Sequence, residues 1–85
     1  MENKIIVYSA EWCSDCQQLK AFMEKHKISC EVRDIQKNPS WRQDLIDHAD
    51  EVAVPYVVLN GKWIIGYPEG EGYSEEYAKN LFGIK

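Results

Sequence analysis

Two cysteines spaced three apart, in Cys13-Ser14-Asp15-Cys16, are the residues of this chain with the plainest chemistry. The nucleophilic form of cysteine is the thiolate, which needs positive potential nearby. The pair follows an apolar run, Ile5-Ile6-Val7-Tyr8, and opens a helical pattern from about residue 14 to 26. A helix start supplies unpaired backbone N–H groups and the positive end of the macrodipole. Cys13 is therefore expected to attack a disulfide. Cys16, one turn on and on the same side, is expected to attack the resulting mixed disulfide and release the partner reduced. The competing reading is half of a zinc site. Zinc takes about four ligands, and Cys30, His26 and His48 are the remaining soft donors. Their spacing from Cys13 matches no familiar finger.

Asp15 lies within two residues of both sulfurs, and Glu11 lies two residues before Cys13. Like charge disfavours a thiolate. Both acids are thus expected to destabilise the reduced pair and make it a stronger reductant. The plainer reading of Asp15 is a first-turn acid that favours the helix dipole. Trp12, beside Cys13, is expected to be an exposed docking residue. Cys30, in phase with Ile28 and Val32, is expected to be a buried strand thiol.

The surrounding pattern must position these residues. Lys4–Tyr8 reads as a strand covered on both faces, because three consecutive aliphatic residues want burial. Leu19, Phe22, Met23 and His26 form one face of the following helix. Ile28–Ile35 alternates as a second strand. Asn38-Pro39 signals a helix start, with Trp41, Leu45, Ile46 and Ala49 as its inward stripe to about residue 49. Tyr56–Leu59 and Lys62–Ile65 are two strands joined by Asn60-Gly61, the pair preferred by a two-residue hairpin. A loop follows over 66–73, then a helix begun at Ser74 and running through Phe82. The order β-α-β-α-β-β-α predicts a four-stranded mixed sheet, parallel in its first unit, with helices on both faces. A cysteine pair at this spacing on a strand–helix–strand pattern is the mark of a thioredoxin-like redox site.

The chain has 85 residues, enough for one domain spanning 1–85. Residues 1–43 hold 7 Lys/Arg and 6 Asp/Glu, whereas 44–85 hold 3 and 8. No basic cluster is present to neutralise phosphates, which argues against nucleic acid and anionic membranes as partners. No apolar run is long enough for a membrane span, and no secretory signal is apparent. An odd cysteine count fits a reducing cytoplasm better than a disulfide scaffold. An acidic surface favours an electropositive protein partner.

The whole chain resembles the glutaredoxin branch of the thioredoxin superfamily. The resemblance rests on Tyr8-Ser9 ending the first strand, the cysteine pair, Val54-Pro55 before the third strand, and Asn60-Gly61-Lys62. It implies a cis Val54–Pro55 bond facing the cysteines and presenting backbone groups to substrate. It also implies a monomeric dithiol oxidoreductase that needs no cofactor or metal beyond the cysteine pair. The departures are informative. Ser14 and Asp15 stand where glutaredoxins usually have proline and an aromatic, and Ala10 stands where many have lysine. Ala10-Glu11-Trp12-Cys13 is similar to the approach in thioredoxin, whose buried aspartate is Val7 here. Gly66-Tyr67-Pro68-Glu69 replaces the glycine pair and acid that hold glutathione. That loop is closer to the ribonucleotide-reductase-linked (NrdH-type) redoxins, although the proline is spaced differently. Tyr67 and Pro68 are accordingly expected near the cysteines. The expected reductant is a thioredoxin-reductase-like flavoprotein, and the expected substrate is a disulfide-containing protein. Glutathione is the alternative reductant, with Lys37 and Arg42 as cations that would favour it. A thiol-ligated iron–sulfur or metal carrier is the more distant alternative.

Overall fold

Ile5-Ile6-Val7-Tyr8 has no polar residue to expose, and the chain buries it completely. In the computed structural model, which describes residues 4–84, this run forms β1 (Ile5–Ser9), buried along its whole length. It lies inside a sheet completed by β2 (Glu31–Asp34), β3 (Tyr56–Leu59) and β4 (Lys62–Ile65), in the order β2-β1-β3-β4. β1 pairs parallel to β2 and antiparallel to β3, and β3 pairs antiparallel to β4. Three helices pack on it: α1 (Ser14–Lys25), α2 (Pro39–Ala49) and α3 (Glu75–Phe82). This is the expected thioredoxin-like arrangement.

The two-residue period of the strands divides the core. Ile6, Tyr8 and Val58 pack with Leu45 of α2. Ile5, Val7 and Val57 pack with Leu19, Phe22 and Met23 of α1 and Ala78 of α3. Asn38 caps α2 by accepting the Ser40 N–H, with Pro39 in the first turn. Ser74 caps α3 by accepting the Tyr77 N–H at 3.2 Å. Asn60 and Gly61 both take positive φ, 52° and 87°, as the hairpin turn requires.

Three expectations need correction. The second strand is shorter than 28–35. It sits at the sheet edge, so its outward phase is uncovered and Val32 is 42% exposed. Cys30 precedes the strand and is half-buried beside Ile28, at the margin of the α1 face. Ile46 is exposed, and Leu45 is the buried residue of α2. Aromatic rings fill that interface instead. Trp63 lies 5.1 Å from Tyr8 and stacks on His48 of α2 at 4.5 Å.

Candidate active site

β1 delivers the chain to the site and α1 begins there. Cys13 is the N-cap of α1, with extended backbone, and its sulfur accepts the Cys16 N–H at 3.1 Å. A sulfur in the capping position takes the bond that Ser or Asp oxygen takes elsewhere. The same thiol donates to the Val54 carbonyl at 3.5 Å. Cys13 is 6% exposed and Cys16 is 0% exposed. Trp12, adjacent, is 68% exposed. Both thiols are free.

The two sulfurs live in different environments. Burial pushes the Cys16 thiol well above the usual range, and the neighbouring Cys13 sulfur adds to the rise through a hydrogen bond and its charge. A hydrogen bond with the Ala10 backbone and the charge of Lys20 pull the other way. Lys20 was not singled out in the sequence, although its i, i+4 spacing from Cys16 on one helix was the available signal.

Val54–Pro55 is cis, and both residues are buried. Pro55 is held from behind, where its carbonyl accepts the Gly66 N–H at 2.9 Å. A Cβ on Gly66 would sit 2.8 Å from that oxygen and 3.2 Å from Leu19 Cδ2. Glycine is required there by close approach. The following residue, Tyr67, is half-buried. Burial raises its phenol first, and then the charges of Glu51, Asp15, Cys13 and Glu69. Tyr67 thus lies within electrostatic range of Cys13, in acidic surroundings.

Asp15 is tied down in a way its position in the motif does not announce. Its Oδ1 accepts the Tyr73 N–H at 3.1 Å, across 58 residues. Glu11 is exposed, with its carboxylate 3.9 Å from the Lys37 ammonium. A polar groove of about 510 Å³ runs beside the motif along Glu11, Gln17, Lys20, Asp34, Lys37 and Trp41. His26 is remote from this site, packed on Phe22 at 4.4 Å. Among the described residues, no three His, Cys, Asp or Glu side chains gather to hold a metal ion.

The Cys13 thiol at the helix cap, the buried Cys16 thiol and the Val54 carbonyl that precedes the cis-proline are thus brought together. The glutaredoxin family profile matches residues 5–64. The chain belongs to the glutaredoxin family. As a glutaredoxin-family protein it is a thiol–disulfide oxidoreductase. A point mutant of the thioredoxin-like protein BC3987 is similar over 96% of this chain and 97% of its own, at 27% identity and a TM-score of 0.78. A glutaredoxin from Archaeoglobus fulgidus superposes with a TM-score of 0.73 at 23% identity, over 93% of this chain and 85% of its own. One from Methanosarcina mazei gives 0.70 at 16%, over 95% and 79%. These last two speak to the fold alone. A comparison with curated proteins finds no match.

Proposed function

We propose that this glutaredoxin-family protein is a dithiol redoxin that reduces protein disulfides and is itself recharged by a thioredoxin-reductase-like flavoprotein. The observation that carries the reading is the Cys13 sulfur in the N-cap, accepting the Cys16 N–H at 3.1 Å. A thiolate there gains a charge-assisted hydrogen bond and the helix dipole. Its attack breaks the substrate S–S bond, forms a Cys13 mixed disulfide and expels one substrate thiolate.

Cys16 is held protonated at rest, which keeps Cys13 as the attacking group. Once Cys13 is bonded to substrate, the part of the rise that Cys13 adds is gone and burial alone favours the Cys16 thiol, while Lys20 and the Ala10 backbone still favour its thiolate. Cys16 then loses its proton and attacks Cys13, forming the Cys13–Cys16 disulfide and releasing the second substrate thiol. The substrate gains two electrons and two protons, and the pair loses them. The flavoprotein returns the electrons. Val54 and Pro55 present backbone to the substrate, and Trp12 and Tyr67 form its apolar rim. Asp15 and Glu11 lower the potential of the pair, although Lys37 offsets part of the Glu11 charge.

The choice of reductant rests on charge and donors. Glutathione brings two carboxylates. Ala10 is buried and uncharged, Pro68 has no N–H to offer, and Glu51 and Glu69 repel an anion near Tyr67. The same acidic rim attracts an electropositive protein. The odd cysteine count favours a reducing cytoplasm. Among the described residues no helix is long and apolar enough to cross a membrane.

One observation favours glutathione as the alternative: Lys20 and Lys37 line the groove beside the motif. Steady-state reduction of the oxidised protein by NADPH with thioredoxin reductase, against glutathione with glutathione reductase, separates the two. The reading expects turnover with the flavoprotein. Efficient turnover with millimolar glutathione, and none with thioredoxin reductase, overturns it.

A further inference from the structure

Residues 66–73 connect β4 to α3 and are fastened at both ends to the redox site. At one end the Gly66 N–H donates to the Pro55 carbonyl at 2.9 Å. At the other the Tyr73 N–H donates to Asp15 Oδ1 at 3.1 Å. Between them the Glu71 N–H closes a turn onto the Pro68 carbonyl at 3.2 Å. The Asp15 end is shaped for contact. A Cβ on Gly72, which has φ of +76°, would lie 3.1 Å from Asp15 Oδ1 and 3.4 Å from Oδ2. The missing side chain lets the carboxylate and the loop backbone meet. Asp15 itself is half-buried under this loop.

We propose that Asp15 is a positioning residue: it pins the 66–73 loop, and Tyr67 with it, to the first turn of α1. The proposal rests on the reading of Cys13 as the attacking thiol. The loop starts at the cis-proline and ends at the motif, so its middle, Tyr67 to Glu71, is the wall that a bound polypeptide meets. A small disulfide reaches the sulfur with little use of that wall. Loss of the pin therefore penalises protein disulfides selectively. The carboxylate acts here through an oxygen that accepts a hydrogen bond, which an amide oxygen reproduces. Its charge acts on the thiolate, which an amide does not reproduce. Asparagine and alanine thus separate the two roles.

The test compares wild type, Asp15→Asn and Asp15→Ala on insulin and on bis(2-hydroxyethyl) disulfide, with dithiothreitol as the reductant. Amide exchange of Tyr73 is followed by NMR in each. Asp15→Ala is expected to lower the insulin-to-small-disulfide ratio of kcat/KM by up to about tenfold, the upper weight of one ordinary hydrogen bond, which asparagine can also make. The loss should lie in KM, and exchange at Tyr73 should accelerate. Asp15→Asn should keep the wild-type ratio and the slow Tyr73 exchange. Tyr67→Ala should reproduce the loss, and adding Asp15→Ala to it should cost nothing further. Equal behaviour of the Asn and Ala variants, an equal loss on both disulfides, or unchanged Tyr73 exchange in Asp15→Ala overturns the proposal. A wild-type protein inactive on insulin would count against the proposed function, while Tyr73 exchange would still decide the pin.

Discussion

The attacking end of this site and the walls around it are built in opposite ways. The sulfur chemistry is local: Cys13 caps the helix that carries Cys16, three residues away. The walls are long-range. The Val54 carbonyl comes from 41 residues beyond Cys13, and the Tyr73 N–H from 58 beyond Asp15. A short segment entering a helix is enough to make a reactive thiol. Selecting what that thiol meets requires the sheet, because β3 must pair with β1, and β4 with β3, before Pro55 and Gly66 reach it. Reactivity and selectivity are therefore expected to respond to different substitutions.

The largest effect is expected at the local end. Cys13→Ser should reduce turnover of any disulfide to the uncatalysed rate while leaving the fold intact, as followed by coupled NADPH oxidation and circular dichroism. Equal activity of that variant would end the dithiol account. The walls are broken next. Gly66→Ala forces a Cβ against the Pro55 carbonyl, a backbone atom that cannot swing away. Overpacking of this kind costs about 1–3 kcal/mol, measurable as a lower urea midpoint at unchanged m-value. A neutral result would mean that the Pro55–Gly66 contact is slack.

The difference between the two sulfurs can be sharpened by pH. Burial and Cys13 raise the folded-state value of Cys16. Its contribution to the stability of the reduced protein is therefore complete below about pH 8.5, where the unfolded thiol is still protonated. It is lost as pH rises from there towards the folded value. Between pH 8 and 10 the reduced wild type should lose stability faster than Cys16→Ala, by at most about 1.4 kcal/mol per pH unit. Parallel curves would place Cys16 in an ordinary environment. The smallest effect belongs to charge at the site. Asp15→Asn should make the potential less negative by about 30 mV or less, equivalent to about 1.4 kcal/mol for two electrons. The shift should shrink with salt, because a partly exposed carboxylate is screened. No change, or a more negative value, removes Asp15 from the tuning of the pair.

The same division explains what the sequence revealed. The strand before the motif, the helix it opens, the Asn38, Pro39 and Ser74 helix starts and the Asn60-Gly61 hairpin are local signals, and all were legible. The cis bond at Pro55 came from the family resemblance, since residue types alone favour trans. The edge position of β2 was not legible. Alternation marks an inward phase but does not say whether anything covers it, so Val32 read as buried. On α2, Ile46 read as core because the periodicity is right, yet Leu45 is the residue buried there, with Trp41 and Trp63 packed against its cluster. The Asp15–Tyr73 bond left no trace, since a backbone N–H carries no residue identity. Gly72 marks the contact only once the fold brings it to Asp15.

The central claim is that Cys13 attacks and Cys16 resolves, and trapping tests it most directly. Cys16→Ser, incubated with oxidised insulin and denatured in acid, is then digested and read by mass spectrometry. The account predicts one mixed disulfide per molecule, on Cys13, stable because the resolving thiol is gone. A disulfide on Cys30, or rapid release of reduced insulin with nothing trapped, would contradict it.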